Sequence, residues 1–187
     1  LESRVVPSGE LQVVFDRWYA TYRATAERQG FGIRSREYLY DILQCGEAVP
    51  VPVPDQRSVA TRLIVVLHGD AVCAGMILMC SRETAVYLYG SSIPLEISRQ
   101  RISPAYLLQD AAIRFACEAG CRKYDLHGIS DADGMNSHLR GLDLFKRSFG
   151  GRVVTRAAMV DFITSRRLLY RFFRAFELFR LRKARNR

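Results

Sequence analysis

The stretch "TRLIVVLHGDAVCAGMILMCSRETAVYLYGSS", Thr61 to Ser92, decides the fold. Two apolar runs, "TRLIVVLHGD" and "AVCAGMILMCS", meet at "HGD", a turn signal. A third, "TAVYLYGSS", follows a short polar break. Runs of this length, rich in β-branched and aromatic residues, predict three consecutive strands. The period of two puts Tyr87 and Tyr89 on one face of the third strand.

Upstream, "SGELQVVFDRWYATYRATAERQG" places Leu11, Val14, Phe15, Trp18 and Tyr22 at helical spacing. Ser8 is its candidate cap and Gly30 its stop. "SREYLYDIL" predicts a shorter helix capped by Ser35. In "EAVPVPVPDQRS" three prolines alternate with valine, which predicts an extended connector. Downstream, "ISPAYLLQDAAIRFACEAG" is a helix with Ser103 as cap, Pro104 in its first turn and Gly120 at its end. "CRKYDLHG" is a strand running into the polar loop "ISDADGMNSH". A helix from about Leu139 to Phe149 follows, then a strand in "RVVTRAAMVDFI" and a basic terminal helix. The order predicts an α/β fold, a mixed sheet with helices on its faces, as in N-acyltransferases. The expected divisions are N-terminal helices at 1–48, a connector at 49–60, a core at 61–164 and a basic amphipathic helix at 165–187.

The chain has 187 residues, enough for one domain with a full core. Its apolar fraction of 49% and charged fraction of 25% are those of a soluble globular protein. No run reaches the roughly 18 to 20 apolar residues of a membrane span. Residue 1 is leucine, so a processed form or a fragment is expected. Cys45, Cys73, Cys80, Cys117 and Cys121 are odd in number. Cys73, Cys80 and Cys117 lie among apolar neighbours and read as core residues in a reducing, cytoplasmic compartment. Cys117 and Cys121 lack a second pair to complete a zinc site, so no metal is expected.

Charge is uneven. Arg166 to Arg187 holds nine Lys and Arg against Glu177, a net +8 of the chain's +9. On a helix, Leu169, Phe172, Phe173, Phe176 and Phe179 fall within about 120°. Arg167, Arg171, Arg174 and Arg182 lie opposite. A packed terminal helix with a solvated basic face, an anionic membrane surface and a nucleic-acid backbone are all compatible with this pattern.

The three histidines, His68, His127 and His138, are scattered. His68 reads as an exposed turn residue. His127 follows a strand, a usual place for site residues, but no nucleophile stands beside it. No nucleophile elbow and no phosphate-binding lysine loop appear. "SDADG" lacks the remaining positions of a calcium loop and reads as a turn. A coenzyme A site needs a Gly-rich turn entering a helix, whereas "GSSIPLEISRQRISPA" has one glycine, at its start.

In "GLDLFKRSFGG", Gly141 to Gly151, helical geometry puts Leu142, Phe145 and Phe149 on one narrow face. Lys146 lies at the rim of that face. Periodicity alone makes it a lysine with a packed stem and an ammonium in water.

The ordered set "YLYGSS", "SPAYLLQDAAIRFACEAGCRKYDLHGIS" and "GLDLFKRSFGG" resembles the FemABX family, bacterial aminoacyltransferases of peptidoglycan synthesis. The "YDLHG" strand resembles that family's Tyr-Asp-Phe-x-Gly pattern, and Phe-Lys-x-x-Phe-Gly follows it. The resemblance runs from "ATAERQGF" and "REYLYDIL" through the Phe-Lys stretch. It implies an acetyltransferase (GNAT)-like fold, present twice in full members. This chain resembles the second copy with the helices before it. The first domain, which contributes much of the acceptor pocket, is expected to lie outside the chain, and its absence would leave the isolated chain inactive.

The resemblance further implies transfer of an amino acid from aminoacyl-tRNA to an amino group of a UDP-linked or lipid-linked muropeptide, with no metal and no cofactor. It carries the family's lysine onto Lys146, as a cation facing the developing oxyanion. Phe145 would brace that lysine. Tyr87 and Tyr89 would line the substrate channel, and two aromatics on a half-buried strand are the plainer alternative. Arg28 matches an arginine near the acceptor. Asp125 falls in the matching pattern, with a structural hydrogen-bonding role expected. Transfer RNA or the inner face of an anionic membrane would be the partner of Arg167, Arg171, Arg174 and Arg182. The competing functions are an acyl-CoA-dependent N-acetyltransferase and a non-catalytic domain that docks on membrane or RNA.

Overall fold

The computed structural model describes residues 1–97, 99–129, 140–155 and 167–185. The chain forms two compact units, Leu1–Phe149 and Gly150–Arg187.

The first unit holds a five-stranded sheet. Its strands are β1 (Glu2–Val5), β2 (Ala60–His68), β3 (Ala71–Cys80), β4 (Thr84–Ser92) and, later in the chain, β7 (Lys123–Asp125), in the order β1-β2-β3-β4-β7. The meander expected from Thr61 onwards is β2, β3 and β4, all antiparallel. β7 joins β4 in parallel, as a strand reached through a crossover helix must. That helix is α3 (Pro104–Glu118).

Helices cover both faces. α1 (Leu11–Gln29) and α2 (Arg36–Glu47) pack on one face, where Phe15, Trp18, Leu39 and Leu43 meet Leu63, Val65 and Ile77. α3 packs on the other, where Leu108, Ala112 and Ala116 meet Ile64, Val66, Met76 and Leu78. Residues of β2 alternate between these two clusters, so one strand feeds two cores. The sheet is mixed and the fold α/β, as expected.

Local signals act largely where they were placed. The Ser35 side chain accepts the Tyr38 N–H and caps α2. Gly30 ends α1 with a left-handed φ of 69°. Ser103 occupies the cap position of α3, yet its side chain makes no capping hydrogen bond. Ser8 begins a 3-10 turn, Ser8–Glu10, and Glu10 is the residue before α1.

Other positions differ from expectation. β1 is an additional edge strand. Residues read as a plain connection carry a hairpin, β5 (Leu95–Ile97) with β6 (Gln100–Ile102). Cys73 and Cys80 are buried, but Cys117 is exposed on α3. The helix of the Phe-Lys stretch is α4 (Arg140–Arg147). Residues 151–155 have no regular structure, and the rest of the strand expected from Arg152 lies outside the described residues. His138 and most of the loop "ISDADGMNSH" lie outside them too. In the second unit, α5 (Arg167–Arg185) is the basic helix.

Candidate functional site

β4 and β7 pair over three residues only, Thr84–Val86 against Lys123–Asp125. From Tyr87 to Ser92, β4 pairs with β3 alone among the described residues. The sheet therefore opens just beyond Val86 and Asp125. This is the carboxyl end of β7, beside the middle of β4, and open α/β sheets bind ligands beyond the carboxyl ends of their parallel strands.

A register shift at this point redirects the tyrosines. Tyr87 pairs with Leu78 and Tyr89 with Ile77, so Leu88 is an extra residue in β4. Tyr87 consequently packs with the α3-side core and Tyr89 with the α1/α2-side core. The expectation that both share one face is overturned, because the bulge resets the period of two. Gly90 makes room for this arrangement: a Cβ there would collide with the Tyr87 ring and hydroxyl. Burial pushes the Tyr87 phenol up to about 12, so it remains a neutral hydroxyl at physiological pH. Tyr124 on β7 donates its hydroxyl to Gln109 Oε1 at 2.7 Å. Gln109 is only 1% exposed, so this bond satisfies a fully buried amide.

The chain leaves β7 through a short turn fixed by a carboxylate. Asp125 Oδ1 accepts the backbone N–H of His127 at 2.8 Å. His127 takes a φ of 64°, a left-handed conformation unusual for a residue with a Cβ. The next carbonyl, of Gly128, accepts a hydrogen bond from Lys146 Nζ at 2.5 Å. Asp125 thus has the hydrogen-bonding role expected of it. The His127 side chain is exposed.

Lys146 is 7% exposed, while Leu142 and Leu144 on the same helix are 39% and 62% exposed. The expected face is kept by Phe145 and Phe149 and left by Leu142, while the rim cation turns inward. An ammonium held by a backbone carbonyl is not the snorkelling lysine that periodicity describes. Burial lowers its pKa, and the carboxylates of Asp143 and Asp125 oppose that shift. Phe145 and Phe149 pack edge to face at 5.2 Å, and both meet Tyr106 of α3, at 5.0 and 5.7 Å. This cluster holds the end of α4 against α3, with Phe145 beside Lys146 in sequence.

Arg28 lies at the far end of β4, where its guanidinium donates to the Ser92 carbonyl at 2.7 Å. Thr25 Oγ1 accepts the Ser92 N–H. Together they tie the end of α1 to the end of β4. Tyr89 lies on that side of the sheet with Tyr38 and Arg34, and its phenol is raised by burial first and by Tyr38 next. Lys146 and Phe145 thus lie where the chain has left β7 and meets the start of α3, whereas Tyr87 packs in the α3-side core beside Tyr124. Tyr89 and Arg28 belong to the side of α1 and α2. Gly128, the last residue of "YDLHG", and Tyr106 complete the first group; the holding role of the Gly128 carbonyl, Tyr106 and the Tyr124–Gln109 pair were not singled out from the sequence. A backbone carbonyl acceptor leaves no side-chain signature, and Tyr106 is an unremarkable residue in the first turn of a helix.

In the second unit, Arg171 and Arg174 are exposed on α5. Arg167 and Arg182 lie within the same helix. Among the described residues, no group of three His, Cys, Asp or Glu is placed to hold a metal ion.

A family sequence pattern spans residues 55–177, from the connector through β2, the opening and Lys146 into α5. The chain belongs to the FemAB family. No curated protein sequence matches it. An aminoglycoside acetyltransferase from an uncultured soil metagenomic sample, solved with sisomicin, is similar in structure. It is 15% identical, with a TM-score of 0.55 over 88% of this chain and 96% of that one. The same description of acetyltransferase in complex with trehalose gives a TM-score of 0.53, with the same identity and coverage. The FemAB chain therefore has an acetyltransferase-like fold. Family and fold together make it a transferase of acyl groups.

Proposed function

We propose that this FemAB-family protein transfers an amino acid from aminoacyl-tRNA to an amino group on the stem peptide of a peptidoglycan precursor. One observation carries the proposal: a lysine ammonium is buried beside the opening of the sheet, fixed by the Gly128 carbonyl. In the reaction, the acceptor amine attacks the ester carbonyl of the charged tRNA and a C–N bond forms. The carbonyl oxygen takes up negative charge. The ester C–O bond then breaks, and the amine proton ends on the departing ribose oxygen. An ammonium has three N–H donors, and Gly128 uses one. In the proposed reaction another of them meets the oxyanion, where a preorganised cation contributes most. Phe145 braces Lys146, and Tyr87, a neutral hydroxyl, lines the substrate channel.

The acetyltransferase-like fold favours a second reading, an acyl-CoA-dependent N-acetyltransferase. That cofactor needs backbone N–H groups at a helix start to hold its pyrophosphate. Between β4 and α3 the chain builds the β5–β6 hairpin instead of a tight Gly-rich turn. Pro104 at the start of α3 removes one N–H. Aminoacyl-tRNA is therefore the preferred donor. Incubation of the protein with a muropeptide precursor and either labelled aminoacyl-tRNA or labelled acetyl-CoA separates the two. Label transferred from tRNA alone supports the proposal; label transferred from acetyl-CoA alone overturns it.

A further inference from the structure

The second unit contains a feature that the transfer chemistry does not use. On α5, Leu168, Leu169, Phe172, Phe173 and Phe179 are between 56% and 74% exposed. Five large apolar side chains along one helix of 19 residues are far more than scattered surface residues. Leu168 falls on the same side as the other four at about 100° per residue. Arg171 and Arg174 lie on the opposite side and are exposed. The segment Arg166–Arg187 carries a net +8.

We propose that α5 lies in the plane of an anionic lipid surface, its phenylalanines in the boundary between headgroups and acyl chains. Among the described residues no helix is long and apolar enough to cross a membrane, so the helix would lie on the surface and not span it. Both halves of the pattern are then used. The apolar face gains by burial, and the arginines meet the headgroup phosphates and the surface potential. A nucleic-acid duplex would be met by the cations alone and would leave the apolar face in water. The proposal does not depend on the identity of the acyl donor, and its failure would leave the transfer chemistry untouched.

The test is sedimentation of the whole chain with vesicles of phosphatidylcholine containing one-third phosphatidylglycerol, against vesicles of phosphatidylcholine alone. Binding to the anionic vesicles is expected, and binding to the neutral ones is expected to be about tenfold weaker or more. Phe172→Ser with Phe173→Ser should weaken anionic-vesicle binding by about tenfold or more. Arg171→Gln with Arg174→Gln should weaken it and flatten its salt dependence. Circular dichroism of each variant verifies that the fold persists. A second measurement uses Phe172→Trp. The native Trp18 is fully buried, so quenching by brominated acyl chains reports on position 172. Quenching on anionic vesicles supports the proposal. Absence of vesicle binding, equal binding by the phenylalanine variant, or binding without quenching overturns it. So does binding to transfer RNA that is unaffected by loss of the phenylalanines and unaccompanied by vesicle binding.

Discussion

The Lys146 ammonium donates to the carbonyl of Gly128, across 18 residues of sequence, and this bond joins α4 to the turn after β7. A single hydrogen bond thereby places a buried cation at the point where β4 and β7 part. The turn itself depends on Asp125, whose carboxylate holds the His127 N–H. The positioning chain is therefore Asp125, then the left-handed His127, then the Gly128 carbonyl, then Lys146.

Asp125→Asn and Asp125→Ala separate the two roles of this carboxylate. The amide oxygen of Asn still accepts the His127 N–H, so Asn keeps the turn and removes the charge. Ala removes both. Denaturant unfolding is expected to show a loss of about 1 kcal/mol for Ala, and less for Asn. Transfer activity should fall in both, and further in Ala. Equal stability and activity in wild type and Ala would remove Asp125 from the positioning chain.

The Lys146 pKa lies below the ordinary 10.5, because burial outweighs the help of Asp143 and Asp125. Unfolded chains then bind more protons than folded ones between the folded and unfolded values. Stability is expected to rise with pH across that window, up to about 10.5, from this group alone. Lys146→Met should abolish that part of the rise. Asp143→Asn should lower the Lys146 pKa further, which ¹³Cε chemical-shift titration measures. A Lys146 resonance titrating at or above 10.5 would contradict the burial described for it.

Tyr124→Phe tests the α3 side of the site. It deletes the hydroxyl that satisfies the buried Gln109 Oε1. A loss of about 1 to 3 kcal/mol is expected in urea unfolding, since the amide oxygen is left without its donor. Tyr124→Phe with Gln109→Leu should recover much of it, because both polar partners are then gone. If the double variant is no more stable than Tyr124→Phe, the pair is not a coupled unit.

The sequence shows its strands and helices well where periodicity is strong. Thr61 to Ser92 reads as three strands because apolar runs and turn residues agree. The division of Tyr87 and Tyr89 between two faces was hidden, because one extra residue at Leu88 changes no composition. β1 and the β5–β6 hairpin are too short and too polar to stand out, and the sheet supplies their pairing. Lys146 shows the limit most clearly. Its helical angle puts it at a rim, but its ammonium is held by a backbone carbonyl 18 residues earlier. The family resemblance located the residue; the geometry around Gly128 explains how it is held.

Single-turnover transfer from labelled aminoacyl-tRNA to a muropeptide precursor, comparing wild type with Lys146→Ala and Lys146→Met, tests the role of the buried cation most directly. Lys146→Met should fold, since removal of a buried charge together with its desolvation cost is tolerated when the replacement fills the space, and circular dichroism verifies the fold of Lys146→Ala, which leaves a cavity. The transfer rate is expected to fall by about 10² to 10³ in each, with tRNA binding unchanged. A folded Lys146→Met protein that transfers at the wild-type rate would contradict the mechanism.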